Sequence, residues 1–211
     1  VQGSDARAHG PADSWMHADD GFDRAAQATE SHYFHCASPC VLDVPAGSTS
    51  VTVQHGFAHV PWARRLDLAA GSTTTLRADL QAQALPGAFG KWLSADLHVH
   101  MNYGGHYFNS PSRLALQARA EDLDVVENLI VNKEQRIPDI AWFGKAGPAG
   151  QVHIDNAQEF HTSFWGHLGL LNLRDHYLTP DFSAYRHTAM ASPFPHNGVI
   201  ADLAHAQQGV V

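Results

Sequence analysis

Long apolar runs are missing from this chain. No stretch of its 211 residues reaches the roughly 18 consecutive apolar residues that a membrane-spanning helix needs. Basic charge is scarce as well: 13 Lys and Arg stand against 21 Asp and Glu, a formal charge of −8. Without a basic stripe, nothing points to a nucleic-acid partner. Cysteine is limited to Cys36 and Cys40, too few for a four-thiolate zinc site. The Ser-Pro between them suggests a turn, so a short local disulfide and two free thiols both fit. The disulfide would suit an exported protein. The sequence also lacks a Gly-x-Ser-x-Gly nucleophile elbow, a phosphate-cradling Gly-x-x-x-x-Gly-Lys-Ser/Thr loop and a His-Glu-x-x-His helix. No signal peptide is visible, and the chain opens on Val1, which leads us to expect that an amino-terminal segment was removed.

What is present in excess is histidine. There are 16, more than Lys and Arg combined, and many fall after position 95. Histidine is the commonest metal ligand. Apolar residues make up 44% and charged ones 16%, so the chain can bury a core.

Residues 1–35 are polar and weakly patterned, which reads as loops with one short strand. Residues 40–80 read as β. Val41-Leu-Asp-Val44 and Ser50-Val-Thr-Val-Gln54 flank a Pro-Ala-Gly turn. Arg65-Leu-Asp-Leu68 and residues 73–80 repeat the plan around Ala-Ala-Gly. Two hairpins predict a small antiparallel β-sandwich in an amino-terminal domain, 1–90. Pro86 and Gly87 lie in the linker to a second domain, 91–211.

The second domain reads as α/β. Residues 95–100 form a strand. Ser110-Pro111 starts a helix that runs to about Asp122. Residues 123–131 form a second strand, parallel to the first through a right-handed crossover. Residues 166–173 form another strand. Asn197 caps a helix that ends at Gly209. Val210 and Val211 read as the opening of a further strand, so we expect the sheet to continue past them.

The chemistry concentrates at Ser94-Ala-Asp-Leu-His-Val-His100. Alternate strand residues share a face, which points His98 and His100 the same way at a spacing suited to one metal ion. Leu97 and Val99 would face the core. The second concentration is Glu159-Phe-His-Thr-Ser-Phe-Trp-Gly-His167. Glu159 and His161 share a face if the segment is extended, and His167 starts an apolar strand. A carboxylate among histidines suits a transition metal and can bridge two ions.

Together these residues resemble the PHP superfamily (polymerase and histidinol phosphatase), and within it the CehA/McbA, carbaryl-hydrolase-like branch. The stretches 100–105, 128–134, 159–167 and 202–206 carry the likeness, which covers roughly residues 90–211. The resemblance implies a distorted (β/α)7 barrel with a metal centre at the carboxyl ends of its strands. It implies that His98 and His100 bind one ion, Glu159 bridges, and His167 binds a second. The ions would be divalent Zn, Mn or Fe, two in number. Asn132-Lys133 stands where many PHP domains carry Asp-His, which puts a third ion in question. The implied reaction is attack of a metal-activated water on an ester, amide, carbamate or phosphoester of a small molecule. Glu159, His161 and Tyr103 are the expected catalytic groups, Tyr103 as donor to a developing oxyanion. Asp96, Asn132 and His205, with His161, are expected to orient ligands. The family's later ligands would lie beyond Val211. The alternative is a non-catalytic binding or structural module with a degenerate metal domain. A periplasmic or secreted location is expected, with the cytoplasm as alternative. An oligomer is compatible with the sequence.

Overall fold

The structure is a computed structural model that describes residues 1–18, 32–102, 108–132, 139–148, 150–162, 164–178 and 193–211. These residues fall into two compact units. One comprises Val1–Trp92 with Ala120–Asp122, the other Leu93–Arg119 with Leu123–Val211.

The first unit is built from short antiparallel pairs. Strands β1 (His17–Ala18) and β2 (His32–Tyr33) pair with each other. Strand β3 (Gly47–Val53) pairs along its length with β5 (Trp62–Leu68), and the intervening β4 (His59–Val60) pairs with β6 (Gln81–Ala82). Gln2 adds a bridge to Ser50 on β3. The two local hairpins expected from the sequence are not formed. Residues 41–44 are not a strand, and residues 73–80 join no ladder among the described residues. The reason lies in the turn signal. Gly47, read as a turn residue, opens β3 at φ +114° and pairs with Leu68. The strand therefore starts inside the presumed turn and takes a partner further along the chain. Residues 71–75 are all exposed, so that stretch buries no face that would hold it to a sheet. Cys36 and Cys40 are joined in a disulfide, with Cα atoms 6.0 Å apart.

The second unit is mixed α/β. Its sheet has strand order β10-β9-β8-β7, with β7 Ala95–Val99, β8 Val125–Val131, β9 His153–His161 and β10 His167–Leu170. Strands β7, β8 and β9 run parallel. Helix α1 (Pro111–Ala120) makes the crossover from β7 to β8. Its first turn is capped by Ser110, whose Oγ accepts the Arg113 amide at 3.3 Å. Strand β10 runs antiparallel to β9. A parallel return needs about a dozen residues or more, and only 162–166 are available. A closed seven-stranded barrel is not among the described residues. Helix α2 (Asn197–His205) follows His196, which occupies the cap position expected for Asn197. Val210 then bridges antiparallel to Leu171.

The core has two parts. Leu114, Ala115 and Ala118 of α1 pack with Met101, Val126, Val152 and Ile154. Leu129, Ala157, Phe160, Leu170, Leu173, Ile200 and Ala204 form the second cluster. Val99 packs against the first cluster, but Leu97 is 52% exposed and anchors nothing. Strand β7 is the sheet's edge, so its alternation does not separate core from solvent.

Strand β9 is central and almost entirely buried despite the sequence Asp-Asn-Ala-Gln-Glu in its middle. Each amide is satisfied. Asn128 Nδ2 donates to Asn156 Oδ1 at 2.8 Å, and Asn156 Nδ2 donates to the Lys145 carbonyl at 2.7 Å. Gln158 donates to the Leu178 carbonyl at 2.8 Å and accepts the Leu178 amide at 2.7 Å. Buried polar groups with complete partners cost little and fix one arrangement.

Candidate metal centre

Three strands deliver imidazoles and a carboxylate to one end of the sheet. His98 lies in the last part of β7 and His100 just after it, and Glu159 and His161 lie at the end of β9. Because β10 is antiparallel, its first residue, His167, lies opposite His161 at that same end.

Glu159 is the centre of the group and only 2% exposed. Its Oε2 lies 3.0 Å from His100 Nε2 and 3.6 Å from His98 Nε2. Its Oε1 lies 2.7 Å from His167 Nδ1. The His161 and His167 rings are stacked at a tilt, with centroids 3.5 Å apart. Two sets of ligand atoms result, His98/His100/Glu159 and Glu159/His161/His167, each set within 4.8 Å. Either set can hold a metal ion. Neighbouring ligand atoms around a tetrahedral zinc are roughly 3.3 Å apart, given metal–ligand distances of about 2.0 Å. The histidine–carboxylate distances bracket that figure.

The tautomer of His100 is set by its other nitrogen. Its Nδ1–H donates to the Leu129 carbonyl at 2.8 Å, which leaves Nε2 turned to Glu159. A neutral imidazole would then present a lone pair to a carboxylate oxygen. Only a proton or a cation between them makes that contact attractive. The electrostatics agree. Burial alone raises the Glu159 carboxyl, but the bond and charge of His100, then His167 and His98, outweigh it and hold the group at about 2. Burial pulls His100 down, and the Glu159 bond outweighs it, so the imidazole is raised above its ordinary value.

The remaining expected residues fall as follows. Asn132 follows β8, is 7% exposed, and accepts the His161 amide on Oδ1 at 2.6 Å. Its Nδ2 is buried with no hydrogen-bond partner. Asp96 accepts the His98 amide at 3.1 Å and so shapes the end of β7 rather than touching a ring. His205 is exposed at the end of α2 and joins no metal-capable group among the described residues. Tyr103 lies outside the described residues.

Sequence reasoning missed Asp139. It is 2% exposed, accepts Asn102 Nδ2 at 2.6 Å, and its charge helps raise His100. Burial raises its own carboxyl, opposed by the Asn102 bonds. The only signal was its place after Ile-Pro, which reads as a chain interruption.

No family model, curated protein or solved structure matches this chain.

Proposed function

We propose that the second unit is a metal-dependent hydrolase centre of PHP type, related to the CehA/McbA branch, with two divalent Zn, Mn or Fe ions sharing Glu159. The observation that carries this reading is the division of Glu159, with His98 and His100 at Oε2, His167 at Oε1, and His161 completing the second group of ligand atoms. His98 and His100 would hold one ion, and His161 and His167 the other. Such ions supply Lewis acidity and an acidified water at neutral pH. The protein's own part is positional. Burial and the Leu129 carbonyl fix His100, the Asn132 side-chain Oδ1 fixes the start of the turn at His161, and Asn132 Nδ2 remains to donate to a substrate oxygen. His98 and His167 are about half exposed, which leaves the outer side of the centre open to a small molecule.

The test is a panel of aryl esters, carbamates and phosphoesters assayed on protein reloaded with Zn, Mn or Fe. Metal-dependent turnover that disappears in Glu159→Gln supports the reading. Metal binding at Glu159 without turnover on any substrate favours a binding module.

A further inference from the structure

We propose that His55, His59 and Asp122 form a separate zinc-type site in the first unit, one that clasps the loop after β3 to the turn at 121–122. The inference does not rest on the hydrolase reading. All three residues belong to the first unit, and one ligand atom from each lies within 4.8 Å of the others. His55 Nε2 is 3.5 Å from Asp122 Oδ1, and His59 Nδ1 is 3.3 Å from Asp122 Oδ2. These are close to the roughly 3.3 Å edge of a tetrahedral zinc shell with ligands at about 2.0 Å. The side chains are 33%, 23% and 37% exposed, so an ion can enter while the ligands stay partly shielded.

His55 repeats the arrangement of His100. Its Nδ1 lies 2.9 Å from the Ala120 carbonyl, an oxygen that can only accept. Nδ1 therefore carries a proton, and a neutral ring would turn its Nε2 lone pair to the Asp122 carboxylate. As at His100, a proton or a cation between the two makes that contact attractive, and a metal ion would serve. His59 Nδ1 also reaches the His55 carbonyl at 3.0 Å, so binding through Nδ1 would exchange that bond for a metal bond, with the ring proton moving to Nε2.

The backbone is shaped for this contact. Gly56 sits at φ +57°, and a Cβ there would fall 2.6 Å from Asp122 Cβ and 2.7 Å from the Glu121 carbonyl. Asp122 itself is at φ +56°, an uncommon conformation for a residue with a side chain. With three protein ligands, the fourth position would belong to water. A His2Asp set favours zinc or a neighbouring divalent transition metal over calcium or magnesium.

The experiment titrates zinc into the full chain against a chromophoric chelator and records the visible spectrum with cobalt. Asp122→Asn keeps the size of the side chain and one oxygen while removing the charge, and it leaves the His55–Ala120 and His59–His55 contacts in place. It should lose one zinc equivalent, or weaken it by at least about tenfold, and lose the matching part of the cobalt spectrum. His55→Ala should do the same. Should His55→Ala fail to fold, Asp122→Asn decides alone. Unchanged stoichiometry and affinity in Asp122→Asn overturn the proposal and leave a purely hydrogen-bonded clasp. The Glu159→Gln chain separates the two sites. If the hydrolase centre were misassigned, Glu159→Gln would keep its full zinc content, yet Asp122→Asn would still subtract one ion.

Discussion

His100 Nε2 stands 3.0 Å from Glu159 Oε2, while its Nδ1–H is held by the Leu129 carbonyl. One ring is thus locked by the β8 backbone and aimed at a buried carboxylate on β9. His98 shares the same oxygen at 3.6 Å but is 55% exposed and has no such lock. The two histidines, alike in sequence, should therefore differ in effect. His100→Ala should weaken zinc binding more than His98→Ala, by roughly tenfold or more, because it removes an oriented ligand. Competition titration of the two variants checks this, and equal losses would count against the locked tautomer.

A stability effect should accompany the metal. Free zinc at about 100 times the dissociation constant stabilises the folded state by about 2.7 kcal/mol. That corresponds to a rise in melting temperature of roughly 5–10 °C for a protein of this size. Addition of a strong chelator should reverse the shift, and a scan with and without it provides the check.

Glu127 predicts a pH dependence away from the metal. Burial, then the neighbouring charge of Asp155, push its carboxyl up to about 7 from 4.5, with Arg174 opposing. The folded state then binds more protons than the unfolded state between those values. Stability falls as pH rises from about 4.5 through about 7. The full shift would be worth roughly 3.4 kcal/mol, and partial exposure reduces it to about 1–2 kcal/mol. Glu127→Gln should gain that much relative to wild type between pH 5 and pH 8. Urea unfolding at both pH values measures it, and a pH-independent difference would contradict the shifted carboxyl.

Gln158 holds the strand that carries Glu159. Its amide makes both hydrogen bonds to the Leu178 backbone. Gln158→Leu would leave a buried donor and acceptor without these partners, at a cost of about 2–4 kcal/mol. Denaturant unfolding would show it, with a weakened metal affinity alongside.

The legible parts of the site were those written at short range. His98 and His100 share a face because strands repeat every two residues, whereas Gly166, read as the start of a strand, sits at φ +81° in the turn that reverses the chain before His167. Strand β9 was harder to read. Both of its faces carry polar residues, Asn156 and Gln158 on one and Asp155 and Glu159 on the other, so no alternation announces it. Only the partners of those amides, which lie up to 28 residues away, explain their burial. Distance also hid Asp139 and the His55–Asp122 contact. The β3–β5 pairing failed as a sequence inference for the same reason, since the nearer turn signal at 45–48 was the stronger local cue.

The most direct test is metal content per chain by plasma mass spectrometry on wild type, His98→Ala, His167→Ala and Glu159→Gln. If Glu159 joins two ions, each histidine variant should lose about one equivalent and Glu159→Gln about two. Wild-type metal content in Glu159→Gln would contradict the bridging carboxylate and, with it, the proposed centre.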